Sequence, residues 1–138
     1  MKLCSACLLG MKCRYDGSDK INDKIVELAK KEKLIPVCPE VLGGLKIPHE
    51  PSEIQGDGRV LSRDGKNVSD NFEKGAEAVL RIAKKKGITE AIFKQKSPSC
   101  GCGKIYDGTF SGKIIPGDGI TTALLRKNGI QVISEEEL

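Results

Sequence analysis

Short apolar runs alternate with amphipathic segments along the whole chain, and this alternation constrains the fold more than any other feature of the sequence. Strands are predicted at Lys2–Ser5, 34–38, 91–94 and 130–133. Helical periodicity is predicted between them, over residues 23–33, 68–86 and 120–127. Because parallel strands need crossover connections, the pattern predicts an α/β fold, a three-layer sandwich with a mainly parallel, Rossmann-like sheet.

One segment interrupts this alternation. After the second predicted strand, the chain carries a cluster of structure breakers: Pro39, Gly43, Gly44, Pro48 and Pro51. We expect no regular structure over this segment. The total length of 138 residues is typical of one domain, so we expect a single domain spanning residues 1–138.

The termini and the composition exclude several classes of protein. The start, Met1-Lys2-Leu3-Cys4, lacks the apolar run of a signal peptide, and no apolar stretch is long enough to span a membrane. A cytoplasmic location without a membrane partner is therefore expected. The net charge of +4 is mild, and five aromatic residues are too few for a base-stacking surface, so a nucleic-acid partner is not expected. The oligomeric state stays open.

Three cysteines, Cys7, Cys38 and Cys100, each follow a predicted strand. Because ligands bind beyond the carboxyl ends of parallel strands, these thiols are expected to meet in one site. Cytoplasmic thiols are kept reduced, which favours metal binding or catalysis over disulfides. The spacing alone leaves zinc, an iron–sulfur cluster and thiol redox chemistry open. His49 is the only histidine, which excludes a zinc site with several histidines.

The remaining three cysteines are interpreted differently. Cys4 lies on the first predicted strand and is expected to pack in the core. Cys102 is too close to Cys100 for the usual zinc knuckle, and Cys13 receives no role.

Motifs along nearly the whole chain resemble one known family, the domain of unknown function 523 group, whose studied members include thiouracil desulfidases. The motifs are Cys7-Leu8-Leu9-Gly10, Arg14-Tyr15-Asp16-Gly17, Pro36-Val37-Cys38-Pro39-Glu40, Gly43-Gly44-Leu45, Lys96-Ser97-Pro98-Ser99-Cys100-Gly101, Ile105-Tyr106-Asp107-Gly108, Gly117-Asp118-Gly119 and Ala123-Leu124-Leu125. One segment departs from the family pattern: Pro-Arg-x-Pro is replaced by Pro48-His49-Glu50-Pro51. A titratable ring thus stands where a fixed cation is usual.

The resemblance implies a cofactor and a reaction. Cys7, Cys38 and Cys100 would hold a [4Fe-4S] cluster and leave the fourth iron open. The implied reaction is a non-redox hydrolysis that removes sulfur from a small thiolated pyrimidine, namely thiouracil or its nucleoside or nucleotide, and releases hydrogen sulfide. An open iron suits a soft thiocarbonyl sulfur.

Several other residues are assigned roles on this basis. Glu40, two residues after Cys38, is the expected general base, with capping of a local turn as its alternative. Ser97 and Ser99 are expected to orient the substrate or donate a proton, with hydrogen bonding to the loop's own backbone as the alternative, and the sequence does not choose between the two serines. The substrate-binding candidates are Asp16, His49 and Glu53.

Two alternative functions stay open. The same cysteines could hold a structural zinc ion or a redox-sensing cluster without turnover, in which case a fourth protein ligand, such as Cys102, would close the site. Desulfuration of thiolated tRNA is the second alternative.

Overall fold

The computed structural model describes residues 1–138 and contains eight strands and four α-helices. In chain order the elements are β1 (Lys2–Ser5), a 3₁₀ helix (Ala6–Leu9), α1 (Asp23–Ala29), β2 (Leu34–Val37), α2 (Pro39–Leu42), β3 (Ser52–Ile54), β4 (Val60–Ser62), α3 (Ser69–Lys86), β5 (Glu90–Phe93), β6 (Cys102–Tyr106), β7 (Ile114–Asp118), α4 (Ile120–Lys127), β8 (Gln131–Ser134) and a 3₁₀ turn (Glu135–Glu137). No helix is both long and apolar enough to cross a membrane.

The central sheet has four strands in the order β2-β1-β5-β8, and every neighbouring pair is parallel. After β1, the chain adds β2 on one side and then returns to add β5 on the other. The connections from the two central strands therefore leave in opposite directions, which opens a crevice at their carboxyl ends. The predicted parallel α/β sheet is confirmed.

The two faces of the sheet carry separate cores, because side chains alternate along each strand. On one face, Leu3 and Phe93 pack in a cluster with Val79 of α3 and Leu125 of α4. On the opposite face, Cys4 and Ile92 pack with Ile25 of α1. Helices thus cover both faces, and the predicted three-layer arrangement is confirmed. Cys4 is fully buried, as expected for core packing.

Helices α3 and α4 form where the apolar periodicity predicts them. The apolar stripe of α3 includes the buried residues Phe72, Ala76, Val79 and Ala83. Gly87 ends α3 in the left-handed conformation, with φ +66°, which a glycine adopts without steric cost. The observed bounds of α4, Ile120–Lys127, coincide with the predicted ones.

The expectation of irregular structure after β2 is wrong at its start, where α2 forms directly after Cys38. Pro39 occupies the first helical turn, where the missing N–H of proline costs no hydrogen bond. Helix α2 packs closely against α3 at Gly75, where a Cβ atom would lie 2.0 Å from the carbonyl oxygen of Pro39. This close approach fixes the direction in which the chain leaves β2.

Two antiparallel hairpins, β3–β4 and β6–β7, were not among the predicted elements. They are joined by side chains of the first hairpin. Glu53 Oε1 accepts hydrogen bonds from the N–H groups of Gly108 and Phe110, at 2.9 and 3.1 Å. Gln55 Nε2 donates to the carbonyl oxygen of Gly108 at 3.1 Å. The two hairpins therefore form one connected wall beside the sheet.

Candidate active site

A cavity of about 470 Å³ lies at the carboxyl ends of the central strands, and Cys7, Cys38 and Cys100 all line it. The structure therefore brings these three thiols to one cavity. Each thiol is carried by a different element. Cys7 lies in the 3₁₀ helix after β1, Cys38 precedes α2 directly after β2, and Cys100 lies in the loop after β5.

The loop that carries Cys100 is held by its own serine and by α4. Ser97 Oγ accepts hydrogen bonds from the N–H groups of Ser99 and Cys100, at 3.2 and 3.0 Å. The first amides of α4 donate to the loop: Ile120 N–H to Pro98 O at 2.8 Å, and Thr121 N–H to Ser99 O at 3.0 Å.

This packing requires a glycine just before α4. A Cβ atom on Gly119 would lie 2.5 Å from the backbone of Ser99. The Gly117-Asp118-Gly119 motif therefore brings the helix start against the cysteine loop. The first amides of α4 are occupied by the loop carbonyl groups.

The three thiols differ in their electrostatic surroundings. Burial, followed by repulsion from Cys38, raises the pKa of Cys7 to about 11, while Arg14 and Lys94 oppose the rise. Burial also raises the pKa of Cys100, with further contributions from Cys7 and Cys38. Each thiolate thus disfavours ionisation of the others, which is the situation that a bound cationic centre relieves.

Cys38 is the exception among the three. A hydrogen bond from the Cys13 thiol, assisted by the peptide N–H groups of Val41 and Glu40, lowers the pKa of Cys38 to about 7. When Cys38 is protonated, its Sγ can instead donate to the carbonyl oxygen of Cys13, 3.5 Å away. Cys38 is consequently the thiol that ionises first at neutral pH.

Glu40 lines the cavity and lies between two side chains. Its Oε2 accepts from Ser99 Oγ at 3.4 Å, and its Oε1 lies 3.4 Å from His49 Nε2. The Glu40 carboxylate is the first cause of a raised pKa at His49, whose Nδ1 contacts the carbonyl oxygen of Glu50 at 2.8 Å. The side chain of Glu40 thus contacts the site rather than capping a turn.

The two serines have different contacts, which the sequence did not reveal. Ser99 Oγ lies 3.0 Å from Ser97 Oγ and 3.7 Å from Cys100 Sγ, in addition to its contact with Glu40. Ser97 is half-buried, whereas Ser99 is 1% exposed. A continuous hydrogen-bonded string therefore runs from Ser97 through Ser99 to Glu40 and His49.

The three substrate-binding candidates are placed differently. Glu53 lines the cavity and is nearly buried. His49 contacts Glu40 and is not among the residues lining the cavity. Asp16 is exposed and also lies outside the lining, where its carboxylate accepts from the N–H and Oγ of Ser18, at 3.0 and 2.5 Å. The structure brings only Glu53 of these three to the cavity surface.

Several lining residues were missed by the sequence analysis. Five cations face two carboxylates around the cavity; they are Arg14, Lys20, Arg63, Lys94 and Lys96. Lys94 is paired with Glu135 at 3.2 Å. Tyr106 and Phe110 add aromatic surface from the β6–β7 hairpin. Arg14, Lys96 and Tyr106 belong to motifs of the family resemblance, which is the signal that could have found them. No motif joins the other four side chains, because they come from separate elements.

A fourth thiol, that of Cys13, also lines the cavity, although the sequence analysis assigns no role to this residue. Cys102, named as a possible fourth ligand, lies in β6 and is not among the lining residues. No group of three or more His, Cys, Asp or Glu side chains is arranged to hold a single metal ion.

Comparison with known proteins gives concordant matches over the whole chain. The family model for 2-thiouracil desulfurase matches residues 3–137. The uncharacterized protein YbbK of Bacillus subtilis (strain 168) is 44% identical over 147 residues, which cover 100% of this chain and 97% of YbbK. The solved structure of the [4Fe-4S]-dependent thiouracil desulfidase TudS (DUF523Vcz) is 45% identical, with a TM-score of 0.93, and the match covers 99% of this chain and 91% of that one.

Proposed function

Because the chain belongs to the 2-thiouracil desulfurase family, we propose that it is a [4Fe-4S]-dependent thiouracil desulfidase. The reaction is a hydrolysis, in which thiouracil and water yield uracil and hydrogen sulfide. The observation that carries the proposal is the meeting of Cys7, Cys38 and Cys100 with the Glu40 carboxylate around one cavity.

Cys7, Cys38 and Cys100 are the proposed ligands, and the fourth iron is left open for substrate. The donor set fits the cluster, because three free thiols line one cavity and their charges disfavour one another until a cationic centre is present. When bound, such a cluster supplies a soft Lewis acid for a thiocarbonyl sulfur. Zinc is the alternative occupant, and the same three thiols would hold it.

Glu40 is the proposed general base that takes a proton from the attacking water. Its contact with His49 orients the carboxylate, so we assign His49 to positioning Glu40. The contact with Ser99 connects Glu40 to the half-buried Ser97 hydroxyl at the cavity wall. This string of hydrogen bonds lets a proton move between the Glu40 carboxylate and the Ser97 hydroxyl at the cavity wall.

The charge of the cavity favours a substrate that carries a phosphate group. Five cations line the cavity of about 470 Å³, which must also hold the cluster. A phosphate group is attracted by such cations. We therefore propose a thiolated pyrimidine nucleotide as the preferred substrate, with the exposed Arg63 as a phosphate contact and Glu53 at the base or sugar.

Two further assignments accompany this proposal. The whole chain, residues 1–138, acts as one domain, since the cavity draws on residues from Ser5 to Gly112. The protein works in a reducing, cytoplasmic compartment, where three ligand thiols stay available for iron.

The decisive experiment is anaerobic reconstitution with iron and sulfide, followed by an iron count and a visible spectrum. The loaded protein is then incubated with 2-thiouracil, 4-thiouracil, 4-thiouridine and its 5′-monophosphate, and released sulfide is measured. We expect four irons per chain and equal amounts of released sulfide and of the pyrimidine product in which oxygen replaces sulfur. Turnover should be fastest with the nucleotide.

The possible contrary results separate the alternatives. A bound cluster without sulfide from any of these compounds would favour the sensing module. Sulfide released only from thiolated tRNA would reassign the substrate.

A further inference from the structure

Cys13 is a nucleophilic group in the cavity for which the proposed reaction has no use. It lies in the segment between the 3₁₀ helix and α1, which contains no helix or strand. The thiol is half-buried and lines the cavity together with Cys7, Cys38 and Cys100.

Cys13 contacts one of the three proposed ligands directly. Cys38 Sγ lies 3.5 Å from the carbonyl oxygen of Cys13, whereas neither Cys7 nor Cys100 hydrogen-bonds to Cys13. Cys13 and Cys38 therefore form a pair within the larger group of thiols.

Two neighbouring cysteines can bond to each other, because a disulfide needs Cβ atoms about 3.5–4.5 Å apart. The segment around Cys13 contains no helix or strand, so its backbone can adjust to bring the two Cβ atoms into this range.

Accessibility selects the same two residues. Cys13 and Cys38 are each half-buried, whereas Cys7 and Cys100 are 8% and 5% exposed. A soluble oxidant therefore reaches Cys13 and Cys38 before it reaches the other two thiols of the cavity.

We propose that Cys13 and Cys38 form a reversible disulfide when the cluster is absent. The consequence for the cofactor rests on the proposed ligand role of Cys38, since the disulfide removes one ligand until it is reduced. The bond would also protect the Cys38 sulfur from irreversible oxidation.

The chemistry balances with a disulfide oxidant such as oxidised glutathione. The Cys38 thiolate attacks one glutathione sulfur, and the first glutathione leaves as a thiolate. The Cys13 thiol then attacks the Cys38 sulfur, and the second glutathione leaves. The two cysteines lose two electrons and two protons, and two molecules of reduced glutathione result.

The test uses the full chain after anaerobic removal of iron by a chelator. Oxidised glutathione is added, free thiols are counted, and disulfide-linked peptides are identified by mass spectrometry. We expect the loss of two of the six thiols, a single peptide pair linking Cys13 to Cys38, and no iron uptake until a dithiol reductant is added. The cluster-loaded chain should keep Cys38 out of any disulfide.

Two variants serve as matched controls. Cys13→Ser should stop at a stable glutathione adduct on Cys38, whereas Cys102→Ser, whose thiol lies outside the cavity lining, should still form the disulfide. Six surviving thiols, a persistent adduct in the unaltered chain, or a linkage between other cysteines would overturn the proposal. None of these readouts depends on desulfidase activity, so failure of the proposed function would be seen separately.

Discussion

The sheet end and the hairpin wall contribute to the same cavity in different ways. At the sheet end, Cys7 and Cys100 are buried, and the backbone around them is held by parallel strands and α4. The hairpin wall places Arg63, Tyr106 and Phe110 at the cavity with partial or full exposure. The difference indicates that two of the proposed metal ligands lie in the more buried part of the site, while the proposed phosphate contact lies in the more exposed part.

The largest expected effect comes from the sheet end. Replacing Cys7, Cys38 or Cys100 singly with Ser should abolish the cluster, because a hydroxyl is a poor replacement for a thiolate on iron. Sulfide release should fall by at least about 100-fold, beyond the usual cost of losing an outer-sphere partner. Iron content and visible absorbance measure the outcome. Cys102→Ser is the control that should keep the cluster, and full loading of any of the three variants would break the proposed division of roles.

The next effect comes from Glu40, which lies in α2 and lines the cavity. Glu40→Gln should lower kcat by roughly 10²- to 10⁴-fold, the usual contribution of positioned acid–base chemistry. Cluster content should not change, and KM should change little, since glutamine keeps the size of the side chain. Steady-state kinetics on the reconstituted variant give the answer. A normal kcat with a full cluster would move suspicion to Ser97 or Ser99.

A smaller effect is expected at the hairpin wall. Arg63→Ala should raise KM for 4-thiouridine 5′-monophosphate by about tenfold, the equivalent of about 1.4 kcal/mol for a charged contact. KM for the free base and the iron content should stay the same. Arg59→Ala is the matched control, because Arg59 lies at the other end of β4, pairs with Asp57 at 2.7 Å and does not line the cavity. Equal effects on base and nucleotide would place the phosphate elsewhere.

The smallest effect concerns stability and its dependence on pH. Glu40 raises the pKa of His49 in the folded protein above the unfolded value of 6.5, so protonated His49 stabilises the fold. This contribution is complete below the unfolded pKa and is lost as pH rises through the folded pKa. His49→Gln should therefore cost about 0.2–1 kcal/mol more at pH 5.5 than at pH 8.5. Urea unfolding at both values tests this, and equal losses would show that the ion pair contributes nothing.

The sequence predicted the sheet region far better than the hairpin wall. The predicted bounds of strand β1 and helix α4 match the observed bounds. For α4, the apolar periodicity and the glycine after the helix indicate the same boundary. Placing Cys7, Cys38 and Cys100 together needed only the rule that parallel strands end at one edge. Strands β3 and β4 contain three residues each, which is too short for a periodicity to emerge.

The misjudged residues share a physical cause. The sequence analysis treats Pro39 as a breaker of regular structure, although proline suits the first turn of a helix. The close approach of Gly75 in α3 to the carbonyl oxygen of Pro39 is a tertiary contact that no local pattern reveals. The contact of Cys13 with Cys38 joins positions 25 residues apart and depends on an irregular segment. The cations of the cavity come from several elements, so no local pattern could have gathered them. Contacts of this kind are set by tertiary packing rather than by local propensity.

The amides of Ile120 and Thr121 bond to the carbonyl groups of Pro98 and Ser99, so the first turn of α4 and the Cys100 loop open as one unit. Local unfolding exposes such amides to hydrogen exchange with solvent. Exchange at these two positions therefore reports how often the loop that carries the proposed ligand Cys100 opens. The rate of this opening, set by a helix end rather than by the thiols themselves, would then govern how long a bound cluster survives in the presence of a chelator.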